Sequence, residues 1–547
     1  MTAPCMGLVK FIFGSVIAAL GWGIVPVAFG HSAPDLLARW HFVGAAGLSA
    51  DTNAAKLKAA WNLPATVQLR KDILQTLPHV PGLWLAQDGQ TNSLNTEWMA
   101  PLLNDLITFE TLLEVRRKTN MPGEIVLAIR LDDARAGLWD TNWAKLAANW
   151  AGSEPRTIQG EHFTGWEIKR REFKPNYIRF IRAKDWVLVG VGQEKLPLQD
   201  DWLRLIEKEG RPAKVLAGDW LQVKADGPLL EQWLPIKTLP FIFPKVELAL
   251  SGKNGGVRTE MTAVYSKPVA ANPKPMTIPL GLIRDPIVSF TAGQQLGSFI
   301  RFPAEIKALS FNPLAGQFFI WAQSGTPMHT AFAIKTDSAK KHLKALATEL
   351  PRTFNPVLEK NDWGEFVFET NRNEINWKKI NVIVPYLKAT NDTSGEFLLG
   401  GMFPPLPLTN SLPGELTSQI TGRTNLLYYD WEITQERLGQ WQMLGQMLPP
   451  FAPSFRAPAK TTEADAAKSP ARGLVRLRVF RCLAAIAPLA GNTITEVTLE
   501  SPTEVRMVRK SDLGFTGFEL MMIGRWLAQW NVPALSPASP APPLPRP

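Results

Sequence analysis

Cysteine is nearly absent: two residues among 547, of which Cys5 lies in the first thirty and only Cys482 in the body of the chain. With the leader removed, no intramolecular disulfide is possible. Cys5 precedes the apolar run and is followed by Met-Gly, so its position does not suit lipid attachment. Cys482 sits among Leu483, Ala484 and Ala485 and reads as a small buried thiol, not a nucleophile. Histidine is also sparse: His31, His41, His79, His162, His329 and His342 are scattered without ligand spacing, which leaves zinc and haem unsupported. The chain has no GxxxxGK[ST] phosphate loop, no GxSxG elbow and no HExxH helix. No cofactor and no metal are expected. Tyrosine is scarce too, five against twenty tryptophans, so large rings serve here mainly as packing material.

Long apolar runs are missing after the first thirty residues. The longest later candidate, from Gly473, carries Arg476, Arg478 and Arg481, each costly at mid-membrane. It reads as a helix that packs on the second sheet and leads into a hairpin at Thr493. The beginning differs: Lys10 is the only charge before an apolar stretch broken by Gly14, Gly21, Gly23 and Pro26 and followed by Ala28-Phe29-Gly30. That arrangement fits a secretory signal peptide over 1–30 with cleavage after Gly30, an uncleaved anchor being the alternative. The chain is therefore expected to be exported: periplasmic, envelope-associated or extracellular. A net charge of +10 points to anionic envelope lipid or glycan as its surroundings, with nucleic acid not expected.

What the sequence does contain is a repeated plan. "IVLAIRLDDA" from Ile125 and "TAFAIKTDSA" from Thr330 share Ala-Ile, a basic residue, an aspartate two places on and an alanine two after that. Each follows a strand-like run and a turn, at Asn120–Gly123 and at Ser324–Pro327, and each leads into a helix. Helix caps are expected at Asp140 or Thr141 in the first copy and at Asp337 or Ser338 in the second, whose helix should end at Pro351. Further echoes keep the same order: "GWEIKRRE" at Gly165 with "GEFVFETN" at Gly364, and "DWVLVGVG" at Asp185 with "GEFLLGGM" at Gly395. Next come a helix, Gly-Arg and a strand (Gly210-Arg211, Gly422-Arg423), a second helix, and hairpins on Asn254-Gly255 and on Ser501-Pro502-Thr503.

The fold class expected is α+β, internally duplicated, with two similar halves of antiparallel β-hairpins flanked by short helices. The first repeat covers 31–265 and the second 285–530, joined by a proline-rich linker over 266–284. A flexible insertion is expected at 449–473 and a proline-rich disordered tail at 531–547, the latter a contact for a protein partner.

Two stretches carry chemistry worth weighing. Asp132-Asp133 is the best carboxylate pair, but neighbouring strand residues point apart and helix capping accounts for both. The densest basic stretch is Lys169, Arg170, Arg171, Lys174, Arg179, Arg182 and Lys184, with Phe173, Tyr177 and Phe180 between them. Basic residues interleaved with aromatics suit an anion-binding surface, although strand parity sends Arg179 and Arg182 to opposite faces. The leading functional expectation is a non-enzymatic exported binding or structural protein of the bacterial cell envelope. The alternatives are a carrier of lipid or another apolar ligand between the duplicated sheets, and a hydrolase with a non-standard site.

Overall fold

The structure, a computed structural model, describes residues 36–76, 96–117, 123–169, 177–193, 195–233, 242–299, 316–324, 329–360, 364–379, 384–403, 406, 409–447 and 470–529. The expected leader over 1–30 with its expected cleavage site, the tips of both first hairpins, nearly all of the expected 449–473 insertion and the expected 531–547 tail lie outside these residues.

Among the described residues, twenty strands form a single sheet in which every pairing is antiparallel. β1 (Leu36–Phe42), β2 (Thr111–Arg116) and β3 (Glu124–Arg130) make a meander. β4 (Arg156–Gln159), β5 (Thr164–Lys169), β6 (Tyr177–Ala183) and β7 (Trp186–Gly192) make a second, which docks on β3 through β7. On the far side of β1 come β8 (Asp219–Asp226), β9 (Lys245–Lys253) and β10 (Gly256–Val264). The remaining strands pair in the same order. They are β11 (Ile287–Gln294), β12 (Gln317–Gln323), β13 (Thr330–Thr336), β14 (Glu365–Glu369), β15 (Glu374–Lys378), β16 (Tyr386–Asp392), β17 (Gly395–Gly401), β18 (Leu426–Ile433), β19 (Asn492–Ser501) and β20 (Glu504–Ser511). β10 and β20 pair along eight residues, from Val257 opposite Ser511 to Val264 opposite Glu504, and so join the two sets.

The two sets of strands also share bulge positions. β1 is bulged between Leu36 and Ala38 against β2, and β11 between Ile287 and Ser289 against β12. β8 is bulged between Asp219 and Leu221, and β18 between Leu426 and Tyr428. A bulge inserts one unpaired residue and shifts every later side chain relative to the partner, so matching bulges keep matching faces. Ala128 pairs with Leu112 and Leu188, Ala333 with Phe319 and Leu399, and neither has any exposed surface. One echo read from sequence is displaced: "GWEIKRRE" is β5, whereas "GEFVFETN" is β14, whose place in the order corresponds to β4.

Helices cover both faces. In the first half they are α1 (Gly44–Ala50), α2 (Ala55–Asn62), α3 (Pro64–Thr76), α4 (Thr96–Thr108), α5 (Asp133–Ala151), α6 (Pro197–Glu209) and α7 (Gly227–Trp233). In the second they are α8 (Ala339–Lys360), α9 (Gly414–Ser418), α10 (Thr434–Met447), α11 (Pro470–Ile486) and α12 (Gly517–Gln529). Asp132 caps α5, its carboxylate accepting from the Arg135 N–H, and Gly152 closes the helix with φ 61°. The cap expected at Asp140 or Thr141 is therefore misplaced, because both sit inside α5. α8 continues through Pro351 and Pro356 to Lys360, past the expected stop. Leu343, Leu346 and Leu358 bury one stripe of α8, and this packing outweighs the lost backbone N–H groups.

α5 packs Trp139 and Leu146 against Trp166, Ile178 and Phe180 on one sheet face. On the opposite face α6 packs Leu198, Trp202 and Ile206 against Val126, Ala128 and Leu188. In the second half α8 covers the face of Ile375 and Leu398. The other face, with Phe290, Phe319, Trp321 and Phe397, is covered by α9 and by Met276, Ile278 and Ile283 of the proline-rich linker. That linker is also tied to the sheet by amide side chains: Gln294 accepts from Lys274 N–H and donates to its carbonyl, and Gln317 does the same with Thr277 and Pro275. α3, α10, α11 and α12 form a helical layer around Leu69, Leu438, Val479 and Leu520. α11 thus rests on helices instead of on the sheet itself. Among the described residues no helix is long and apolar enough to cross a membrane.

Candidate functional site: a buried polar band in the second half

Two cross-strand rows lie side by side on one face of the second half, under α10 and α12. The first runs Thr291, Asp430, Thr495, Arg509 across β11, β18, β19 and β20; the second runs Ser289, Glu432, Thr493, Ser511. At the register-matched places of the first half the rows read Trp40, Val223, Leu248, Met261 and Ala38, Ala225, Val246, Ala263. Eight polar side chains stand where eight apolar ones would satisfy the same backbone. The fold alone does not require them.

Burial makes the band expensive unless it is hydrogen-bonded. Asp430 and Glu432 are 9% and 5% exposed, and alternation along β18 puts both on the same face. Thr291 Oγ1 donates to Asp430 Oδ1 at 2.6 Å. The Gly517 N–H, at the start of α12, donates to Glu432 Oε1 at 2.6 Å. Arg509 makes a bidentate pair with Glu519 of α12, at 2.8 and 3.0 Å, and its Nε donates to Thr495 Oγ1 at 3.0 Å. Glu519 also accepts from the Thr516 N–H, while Thr516 Oγ1 accepts from the Glu519 N–H, a reciprocal capping box that starts α12. From α10, Arg437 donates to Gln440 Oε1 at 2.6 Å and lies over the Trp441 ring at 4.7 Å. Thr434 and Thr493 hydroxyls meet at 2.7 Å.

Electrostatics follow from this crowding. Burial first, and then the charge of Asp430, push the Glu432 carboxyl up to about 7, against the pull of the Gly517 N–H. Burial raises Asp430 as well, opposed by its Thr291 hydrogen bond and the guanidinium groups of Arg509 and Arg437. Chemically the band can hold two secondary elements on the sheet and store or release a proton. None of this was singled out in the sequence. Its signals were two acidic residues at alternate positions of an apolar strand, "YYDWE", and Thr-x-x-Glu at 516–519, which starts α12.

The basic stretch expected to form an anion surface is placed as follows. Lys169 pairs with Glu167 at 3.2 Å and lies over the Tyr177 ring at 4.6 Å. Arg179 donates to Gln199 Oε1 at 2.6 Å and pairs with Asp200 on the α6 face, whereas Arg182 pairs with Asp133 at the start of α5, on the opposite face. Lys184 donates to the Ile206 and Glu207 carbonyls near the end of α6, both at 2.9 Å. The structure brings Arg179 and Lys184 to α6 and sends Arg182 away from them; Arg170, Arg171 and Lys174 lie outside the described residues. Asp132 and Asp133 likewise diverge, one capping α5 and the other pairing with Arg182. Cys482 is buried against Thr66, and that burial raises its thiol pKa. An open groove of about 560 Å³ runs between α3 and α4, past Val67, Leu74, Ala100 and Pro101. Compared with known proteins, the chain matches no family model, no curated sequence and no solved structure.

Proposed function

We propose that this chain is an exported, non-enzymatic binding or structural protein of the bacterial cell envelope, built from two fused copies of one α+β unit. The observation that carries the duplication is the coincidence of both bulges, at Ala38 with Ser289 and at Leu221 with Tyr428, in strands of the same order. Independent invention of one register twice is far less economical than copying it.

At ordinary spacing the twenty described strands measure about 90 Å along the contour of the sheet. So long a platform suits a protein that spans or presents surface, and the +10 balance favours anionic surroundings. Export rests on the charge-then-apolar pattern of 1–30. A carrier needs an enclosed apolar space between two sheets, and the strands of the two halves instead lie edge to edge in one sheet.

The test is fractionation of a bacterial host expressing the full chain, followed by N-terminal sequencing and vesicle binding. The expected result is a chain beginning at His31 outside the cytoplasm, bound to anionic but not zwitterionic vesicles and released by salt. A cytoplasmic chain retaining its leader overturns the reading. So does saturable turnover of a hydrolysable substrate that one point substitution abolishes.

A further inference from the structure

We infer that the polar band is a proton-binding site that couples the seating of α12 on the sheet to acidity. The argument begins with a charge count. Asp430, Glu432 and Glu519 supply three carboxylates to the buried face, and Arg437 and Arg509 supply two guanidinium groups. Arg509 is already committed to Glu519 by two hydrogen bonds. Two guanidinium groups thus face three carboxylates, since Arg509 and Arg437 also act on Asp430 and Arg437 on Glu432. The set therefore lacks one positive charge, and a bound proton supplies it.

The groups in hydrogen-bond or strong electrostatic contact with the pair come from the following elements. β11 contributes Ser289 and Thr291, and β19 contributes Thr493 and Thr495. β20 contributes Arg509 and Ser511, α10 contributes Arg437, and α12 contributes Glu519. Tyr428, on β18 itself, is a neutral phenol held far above its ordinary range by burial. Two like carboxylates two residues apart on one buried strand face do not both ionise readily.

α12 is the element that feels this site. Its first N–H, at Gly517, is bonded to Glu432, and its capping residue Glu519 to Arg509. A Cβ on Gly517 would stand 2.6 Å from the Leu438 backbone N, so α12 enters in tight contact with α10. Lifting α12 exposes Glu432 to water, where its carboxyl returns toward its ordinary value near 4.5, from about 7 when seated. The seated state thus holds more protons than the lifted state between those values. Seating is favoured fully below about 4.5, weakens as pH rises, and has lost the whole contribution above about 7.

The experiment is hydrogen–deuterium exchange of the full chain, read on peptides of 517–529 from pH 4.5 to 8, with intrinsic exchange rates divided out. The opening constant of α12 is expected to rise about tenfold per pH unit through the middle of that window. Peptides of α8 should show no such slope. Glu432→Gln, neutral at every pH, should flatten the α12 profile. If Glu432→Gln does not fold, Asp430→Asn replaces it: removing the neighbouring charge lowers the seated Glu432 value, so the rise should level off at a lower pH than in the wild type. A pH-independent wild-type opening constant, a Glu432→Gln profile with the wild-type slope, or an Asp430→Asn profile that levels off at the wild-type pH overturns the assignment.

Discussion

Asp105 has no exposed surface and is held by one partner set. Arg135 of α5 grips both carboxylate oxygens, and Trp139 Nε1 donates to Oδ2 at 2.9 Å. One carboxylate faces one guanidinium, so this site is balanced where the Asp430–Glu432 pair is not. Replacing Asp105 by Ala strands a buried indole N–H and a part-buried guanidinium. The expected loss is about 3 kcal/mol, measured as a shift in the denaturation midpoint at constant slope. Asp105→Asn keeps an acceptor for Trp139 and should lose roughly half as much. At this scale the sequence was weakly legible. Asp105, Asp430 and Glu432 each sit in a local pattern that equally suits a solvent-facing charge, and only the tertiary partners distinguish them.

Among the elements, short-range chemistry was readable. Asn254-Gly255 announced a two-residue hairpin, and the structure places both residues at positive φ, 54° and 73°, between β9 and β10. A Cβ on Gly255 would meet nothing within 4 Å, so backbone strain is the only cost of Gly255→Ala. About 1 kcal/mol of destabilisation is expected by calorimetry or denaturant titration. A neutral result would mean that the turn relaxes to another type. Helix ends were harder to read. Asp132 was seen as a cap while Asp140 and Thr141 competed for the same role, because Ser, Thr, Asp and Asn mark caps wherever they fall. Pro351 and Pro356 misled for the opposite reason: local propensity gave way to a buried leucine stripe along α8. The displaced echo between β5 and β14 shows how alternation alone confuses neighbouring strands of one meander.

For the whole molecule, the decisive junction is β10 with β20, where Met261 and Met507 face each other at 2% and 4% exposure. The sheet's outer ends are treated differently. At β14, Asn355 of α8 accepts from the Phe366 N–H and donates to its carbonyl, which closes that edge to further pairing. β4 is short, four residues, and mostly exposed. Growth therefore stops at the ends while the middle is sealed by side chains that neither half can cover alone. Beyond the strands, Lys56 pairs with Asp512 and Leu69 packs with Val479, Cys482 and Leu520, so the helices of the first half also grip the second. Cutting the chain at the start of the linker, after Tyr265, should thus give two polypeptides that co-purify in equal amounts when expressed together. Met507→Asp would bury an uncompensated carboxylate against Met261 and should abolish that co-purification. A soluble, monomeric first half whose stability is unchanged by removal of its partner would mean that the junction contributes little, and that each half closes its own edge by some other means.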